Sequence, residues 1–360
     1  MIVRNESDVI IRCLASVIDV IDYWVIVDTG STDDTIEKIQ DYLSDIPGEI
    51  QQKPWKNFGH NRNEALLLAK GKADYLLFMD ADDVLEFSGA KTFGALTKDC
   101  YRFWRGTKGF SYLKRQLVKA DLPWRWIGPT HEYIDCFTPH TIDVLDGIYY
   151  STKEGGASAK NLKEKFLRNI ALLQDDLSDH PNNRRNMFYL AESYRDAGMP
   201  GDAIIHFQKR IQMGGWQEEV FWSYLQIALL LEKIGLSKSV IEQAFLDAHR
   251  YRKKRIEPVY YLAKLYNHQK EYDKAYQVIH YYQNLPKYPK DSLFNVEWIA
   301  LYGLEMELCV AAYHTEKYEE ADAVCQKMLA KKAVPKEVKT IIRQNRDFPR
   351  KKLLQSASSP

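Results

Sequence analysis

The stretch "LLFMDADDVL" (residues 76–85) is an apolar run that stops at Asp80, Asp82 and Asp83, with only Ala81 between them. Carboxylates held this close repel one another and resist desolvation, so folding alone gives no reason for them; a cation, most simply a metal ion, does. "YWVIVDTG" (23–30) has the same form, an apolar strand halting at Asp28 and Gly30. Around these strands lie "SDVIIRCLASVIDV" (7–20), with apolar residues at helical spacing, "STDDTIEKIQDYLSD" (31–45), opening on cap-forming residues, and "HNRNEALLLAKG" (60–71), closed by Gly71. Strands alternating with helices predict an α/β domain, Rossmann-like, with a mixed, mostly parallel sheet. Ligands of such sheets bind at the carboxyl ends of the strands, where Asp28 and the 80–83 cluster fall.

After about residue 160 the pattern changes to helices alone. Ala191, Ala228 and Ala263 recur at intervals of 37 and 35 residues, near the ~34-residue period of tetratricopeptide repeats. Tyr194, Leu231 and Tyr266 follow three residues later, and Ala203, Val240 and Ala275 fall where a second helix needs a small or slim residue. A divergent fourth unit aligns Tyr318-Glu319-Glu320-Ala321 with Tyr272-Asp273-Lys274-Ala275, the extra length holding an insertion, "LPKYPKD" (285–291). The expected organisation is a catalytic domain over 1–155, helical repeats over 156–348 and a fraying tail over 349–360.

With 360 residues and 45% hydrophobic content, the chain can form two cores. Its formal charge of +1 gives no field that would recommend nucleic acid or an anionic membrane as partner. The five cysteines are scattered, with no C-x-x-C spacing, and read as reduced, mostly buried thiols. "MIVRNES" lacks a secretory apolar core and no run approaches the ~18 residues of a membrane span, so the expectation is a cytoplasmic protein. "MIV" itself reads as the middle of a strand, which leaves open whether residues precede Met1.

Five motifs in order, "MIVRNE", "VIVDTGSTDDT", "GHNRNEAL", "LLFMDADD" and "WRWIGPTHEYI", resemble the family 2 glycosyltransferases of GT-A fold. The subgroup resembled carries tetratricopeptide repeats after the catalytic domain, as bacteriocin S-glycosyltransferases do. The resemblance implies an inverting, metal-dependent transferase that uses a UDP-sugar, with Asp80 near the ribose and Asp82 holding Mn2+ or Mg2+ across the diphosphate. It further implies Asp28 at the uracil edge, Gly30 letting the backbone pass close to the nucleotide, and Arg62 with Asn63 near the base or a phosphate. His131 resembles a metal ligand of the repeat-bearing subgroup, and a neutral imidazole can complete a site held mainly by oxygens. Glu132 is the candidate catalytic base. For Asp28 the rival reading is turn formation within "DTGSTDD"; for Arg62 it is a salt bridge. Arg4 and Glu6 are lesser candidates, and Trp124 and Trp126 either stack on a sugar or acceptor or pack in the core.

The stretch from Asp82 to His131 is short for an acceptor-binding half, and "FSGAKTFGALTKDCYRF" (87–103) lacks strong motifs. The acceptor, a protein or peptide or else a glycan, is therefore expected to be held partly by the repeats, through which the chain could also form a homodimer. Two alternatives stand beside this reading. One is a non-catalytic repeat scaffold with a degenerate transferase domain. The other is a haloacid-dehalogenase-type phosphatase, with Asp80 as nucleophile and Asp82 as acid.

Overall fold

The computed structural model describes residues 1–107, 110–153, 155–156, 161–282 and 292–357. The chain divides into two compact units, Met1–His206 and Phe207–Pro360.

In the first unit, β1 (Ile2–Val3), β2 (Trp24–Asp28) and β3 (Gly48–Gln52) form a parallel sheet, with Ile2 opposite Val27 and Trp24 opposite Gly48. Helices α1 (Ile10–Val17) and α2 (Thr35–Tyr42) link these strands, and α3 (Phe58–Ala69) follows them. Helix α1 buries Ile10, Cys13, Leu14 and Val17, the stripe expected of an amphipathic helix. Ile10 and Leu14 share one core with Val3, Ile26, Ile39 and Ala81, while Cys13 and Val17 share another with Met79, Leu85, Phe103 and Tyr150. Ala81 is thus a core residue, and its burial pins the acidic cluster in place. Helix α3 is capped by Asn57, whose side chain accepts from the His60 N–H at 2.8 Å, and Gly71 beyond its end takes φ +77°.

A second sheet is built from β4 (Tyr75–Leu77), β5 (Asp83–Phe87), β6 (Cys100–Thr107), β7 (Phe110–Lys119) and β10 (Ile142–Thr152). Its order is β7-β6-β10-β5, with β4 on β7; only β10–β6 is parallel. Strands β8 (Arg125–Ile127) and β9 (Tyr133–Asp135) form an antiparallel pair. The expectation of a mixed sheet holds, but "mostly parallel" is true only of the first three strands. The segment between Asp82 and His131, poor in motifs, holds the long antiparallel pair β6–β7. An apolar cavity of about 320 Å³ is lined by Val25 and Ile26 of β2 and by Leu76, Phe78 and Trp126 among others. The Met1 backbone nitrogen donates to the Val25 carbonyl at 2.9 Å.

Helices α4 (Leu162–Asp179) and α5 (Arg184–Asp196) belong to the first unit, and the division falls within α6 (Pro200–Gln212). The second unit continues with α7 (Gln217–Lys233), α8 (Lys238–Tyr251), α9 (Glu257–His268), α10 (Tyr272–Tyr282), α11 (Leu304–His314), α12 (Tyr318–Ala330) and α13 (Lys336–Ala357). The aligned alanines at 191, 203, 228, 263, 275 and 321 are all fully buried, as close helix approach requires. Val240 is not their equivalent: it is 41% exposed, and Ile241, 6% exposed, takes the inward position. A one-residue slip in the repeat alignment explains this, since Ile241 precedes the buried Phe245 as Ala203 precedes Phe207 and Ala275 precedes Ile279. The "LPKYPKD" insertion lies outside the described residues. Helix α13 runs through Pro349 to Ala357, where a fraying tail was expected from 349. All five cysteines are buried and free.

Candidate functional site

The loop after β2 is built around Asp28. Its fully buried carboxylate accepts from the Gly30 N–H at 3.0 Å and from the Ser31 N–H at 3.1 and 3.2 Å. Gly30 adopts φ +105°, a conformation that side-chain-bearing residues rarely take, with open space where a Cβ would stand. Asn5 ties this loop to β1, donating its N–H to Ser31 Oγ and accepting from the Thr32 N–H. The turn-forming reading of Asp28 describes these hydrogen bonds, and the contact with uracil stays a proposal beside it.

Arg62 projects from α3 and joins two motifs far apart in sequence. Its Nη2 donates to Asp80 Oδ1 at 2.5 Å and its Nε to Glu132 Oε1 at 2.6 Å, with the guanidinium 5.0 Å from the Trp126 ring centre. The salt-bridge reading of Arg62 thus describes the structure, and both partners belong to the expected site. Glu132, expected as base, is the buried counter-ion of Arg62, so one of its oxygens is already occupied. Asn63 binds the Trp126 backbone at both ends, its amide donating to the Trp126 carbonyl at 2.9 Å and accepting from the Trp126 N–H at 2.8 Å. Trp126 and Trp124 are 3% and 7% exposed and pack in the core. Glu6 caps the turn into α1 with its carbonyl, which accepts from the Val9 and Ile10 N–H groups.

The three carboxylates of the cluster have different surroundings. Asp80 is bound by Arg62 and also by Arg105 Nη1 at 3.3 Å, and its N–H donates to the Tyr150 hydroxyl at 2.8 Å. Burial works against its charge, yet Arg62, Lys114 and Arg105 more than offset this and hold its pKa well below the usual range. A phosphatase nucleophile would need to be free, and Asp80 is held from two sides. Asp83 is fully buried and pairs with Arg105 Nη2 at 2.9 Å. Asp82 is half-buried, and burial followed by the charge of Asp80 raises its pKa. Its carboxylate has no side-chain cation within 4 Å among the described residues. Its carboxylate accepts from its own backbone N–H, and its main-chain carbonyl accepts from the Lys153 N–H at 3.0 Å.

His131 takes φ +50°, stacks on Tyr189 of α5 at 4.2 Å between ring centres, and accepts at its carbonyl from Arg185 at 3.0 Å. Although the residue keeps solvent contact, the protein crowded around its ring pushes the pKa down to about 4, with Arg185, Lys165 and Lys114 acting in the same direction. A neutral imidazole is the form that binds a metal.

Sequence reasoning missed Arg105, Lys114 and Tyr150. The registers Tyr150–Arg105, Arg105–Tyr112 and Phe103–Lys114 place these side chains on one sheet face, with Arg105 4.7 Å from the Tyr150 ring centre. Burial, opposed by Asp80 and reinforced by Arg105 and Arg62, lowers the Lys114 pKa to about 8. The available signal was cations set among aromatic and apolar residues in two strands, "CYRFWRGT" and "FSYLKRQLVK".

Whether the site fits a divalent ion is decided by charge and donor type. Asp80, Asp82, Asp83 and Glu132 face Arg62, Arg105 and Lys114, an excess of one negative charge centred on the uncompensated Asp82. Among the described residues no three His, Cys, Asp or Glu side chains gather as a complete cation site. This fits an ion of the Mg2+ class, which takes one or two protein ligands and fills the remaining positions with water and substrate phosphates.

The motif helices are packed so closely that small residues are required. A Cβ on Gly59, at the start of α3, would stand 2.2 Å from the Gly128 carbonyl oxygen, and the Phe58 N–H donates to the Pro129 carbonyl at 3.0 Å. Gly59→Ala must displace "GPTHE" from α3, and is expected to cost roughly 1–3 kcal/mol, seen as a lowered melting temperature.

Sheet, acidic strand end and helical repeats together define an α/β domain with a strand-end anion-and-cation site joined to a repeat array. Residues 1–91 match Glycosyl transferase family 2. The chain is 28% identical over 225 residues to the SPbeta prophage-derived glycosyltransferase SunS of Bacillus subtilis (strain 168), covering 59% of this chain and 52% of the relative. It is also 37% identical over 86 residues to a TPR repeat-containing protein of Synechococcus elongatus, covering 24% and 20% of the two chains. The chain thus spans about half the length, or less, of these curated relatives. Among solved structures, it is similar to S. aureus TarS 1-349 in complex with UDP-GlcNAc, with 16% identity, 65% of this chain and 86% of that one covered, and TM-score 0.32. It is likewise similar to MamA, with 19% identity, coverage of 49% and 95%, and TM-score 0.37.

Proposed function

We propose that the chain transfers a sugar from a nucleotide-sugar donor, a UDP-sugar, to an acceptor, with inversion and with a divalent ion at Asp82. The observation that carries this reading is the contrast within the cluster: Asp80 and Asp83 are neutralised by arginines, while Asp82 alone keeps an uncompensated, half-buried carboxylate. Asp82 and His131 are the residues that would hold Mn2+ or Mg2+, which when bound stabilises the charge developing on the leaving diphosphate. The family 2 domain and the similarity to SunS, itself a glycosyltransferase, support the reaction class.

The chain's own residues have separable tasks. The Asp28 carboxylate fixes the loop at Gly30 so that its backbone can lie against the nucleotide. Arg62 holds Asp80 and Glu132 at a set separation, and Arg105 holds Asp80 and Asp83, so the strand end does not rearrange when charge changes at the site. The acceptor proposed is a protein or peptide bound by the repeats. A groove of about 910 Å³ lined by Ile211, Tyr224, Ile227, Leu231 and Val240 supports this, because apolar and aromatic repeat surfaces suit extended peptides.

Incubation with a panel of nucleotide sugars, with Mn2+ or with chelator, tests the proposal. Metal-dependent release of UDP from one donor is the expected result. Neither turnover nor binding of any donor would leave the repeat array as the functional part and make the chain a scaffold.

A further inference from the structure

We propose that Lys114 binds the phosphate groups of the donor and is a specific anion-positioning residue of this site, an inference that rests on the nucleotide-sugar reading above. Three cations face the acidic cluster, and two are already committed: Arg62 to Asp80 and Glu132, Arg105 to Asp80 and Asp83. Lys114 differs from both. Among the described residues no carboxylate oxygen lies within 4 Å of its ammonium, and its one close partner is the Trp126 ring, 5.9 Å away. The Phe103–Lys114 and Arg105–Tyr112 registers direct it to the same face as Arg105, and the side chain keeps partial solvent access there.

A third cation beside two arginines is repelled by them and is costly to desolvate. Distributed neutralisation of four carboxylates would offset that cost without any ligand. That plain reading requires no direct partner and predicts that Lys114 matters for stability alone. A phosphate reading requires an ammonium that reaches solvent, lacks an ion-pair partner and stands among groups holding the donor. Lys114 meets the first two in the structure, and the third follows from the donor reading above. A lysine ammonium is a compact point charge with rotatable donors, suited to phosphate oxygens whose position shifts as the sugar departs.

The test compares ligands that share a base and differ in phosphate. With Mn2+ at a fixed saturating concentration, affinities for UDP and for uridine are measured in the full chain and in Lys114→Met and Lys114→Arg. Methionine keeps an unbranched stem against Trp126. The expected result is a roughly 10- to 100-fold loss of UDP affinity in Lys114→Met, uridine changed less than about threefold, and most of the UDP affinity restored in Lys114→Arg. Equal losses for UDP and uridine, or an unchanged UDP affinity, would overturn the assignment. If Lys114→Met melts well below wild type, Lys114→Arg decides alone: it keeps the cation, so UDP affinity falling as far as uridine affinity also overturns the assignment. The wild-type arm separates the two readings, because a wild-type chain that binds no UDP refutes the donor proposal and the Lys114 proposal with it, whereas loss confined to Lys114 variants leaves the donor proposal standing.

Discussion

Asp82→Ala is expected to abolish metal-dependent release of UDP from the donor, by at least about 100-fold, while leaving the melting temperature unchanged or slightly raised. The two effects have opposite sign for one reason. Asp82 is the carboxylate that the folded chain does not compensate: burial and the neighbouring Asp80 both disfavour its charged form. Removing it relieves repulsion at the strand end and takes away no ion pair. A structural carboxylate would behave otherwise, its loss lowering stability and activity together. Turnover assayed with Mn2+ and with chelator, alongside a thermal melt of the same preparations, checks both halves. Wild-type turnover in the variant would remove Asp82 from the site.

Arg62→Met should produce the largest stability loss in the first unit. It strips the counter-ion from Glu132 and one of two from Asp80, carboxylates whose side chains are 7% and 24% exposed. Breaking a buried pair from one side costs about 3–5 kcal/mol, because the remaining charge keeps its desolvation penalty. For a unit of this size that corresponds to a fall of roughly 10 °C in melting temperature. The double change Arg62→Met with Glu132→Gln should recover part of the loss, since it removes one stranded charge. A melt of Arg62→Met coincident with wild type would show that the ion pair contributes nothing.

These two residues also mark what the sequence made legible. Asp82 could be found because an apolar run ending in carboxylates is a local pattern with a physical cost, and the cost is visible without a fold. The α1 stripe and the buried repeat alanines are legible for the same reason, as both follow from spacing along one chain. The partners of Arg62 are not local: Asp80 and Glu132 lie on different motifs, and only the packing of α3 brings the guanidinium to both. The bonds that Asp28 makes to the Gly30 and Ser31 N–H groups were not legible, because they depend on loop geometry. Val240 was aligned in place of Ile241 because both are apolar, and only contact with the facing helix distinguishes them. The strands β6, β7 and β10 were passed over because their mixed polar, charged and aromatic residues resemble neither an apolar strand nor a helix stripe, although they carry Arg105, Lys114 and Tyr150.

The central claim is that the face beneath Asp80, Asp82 and Asp83 is a nucleotide-diphosphate site. Calorimetric titration of the full chain with UDP, in Mn2+ and then in chelator, tests it most directly. Saturable binding that requires the metal is the result this account predicts. Absence of heat in both conditions, extended to GDP, CDP and ADP with the same outcome, would contradict it.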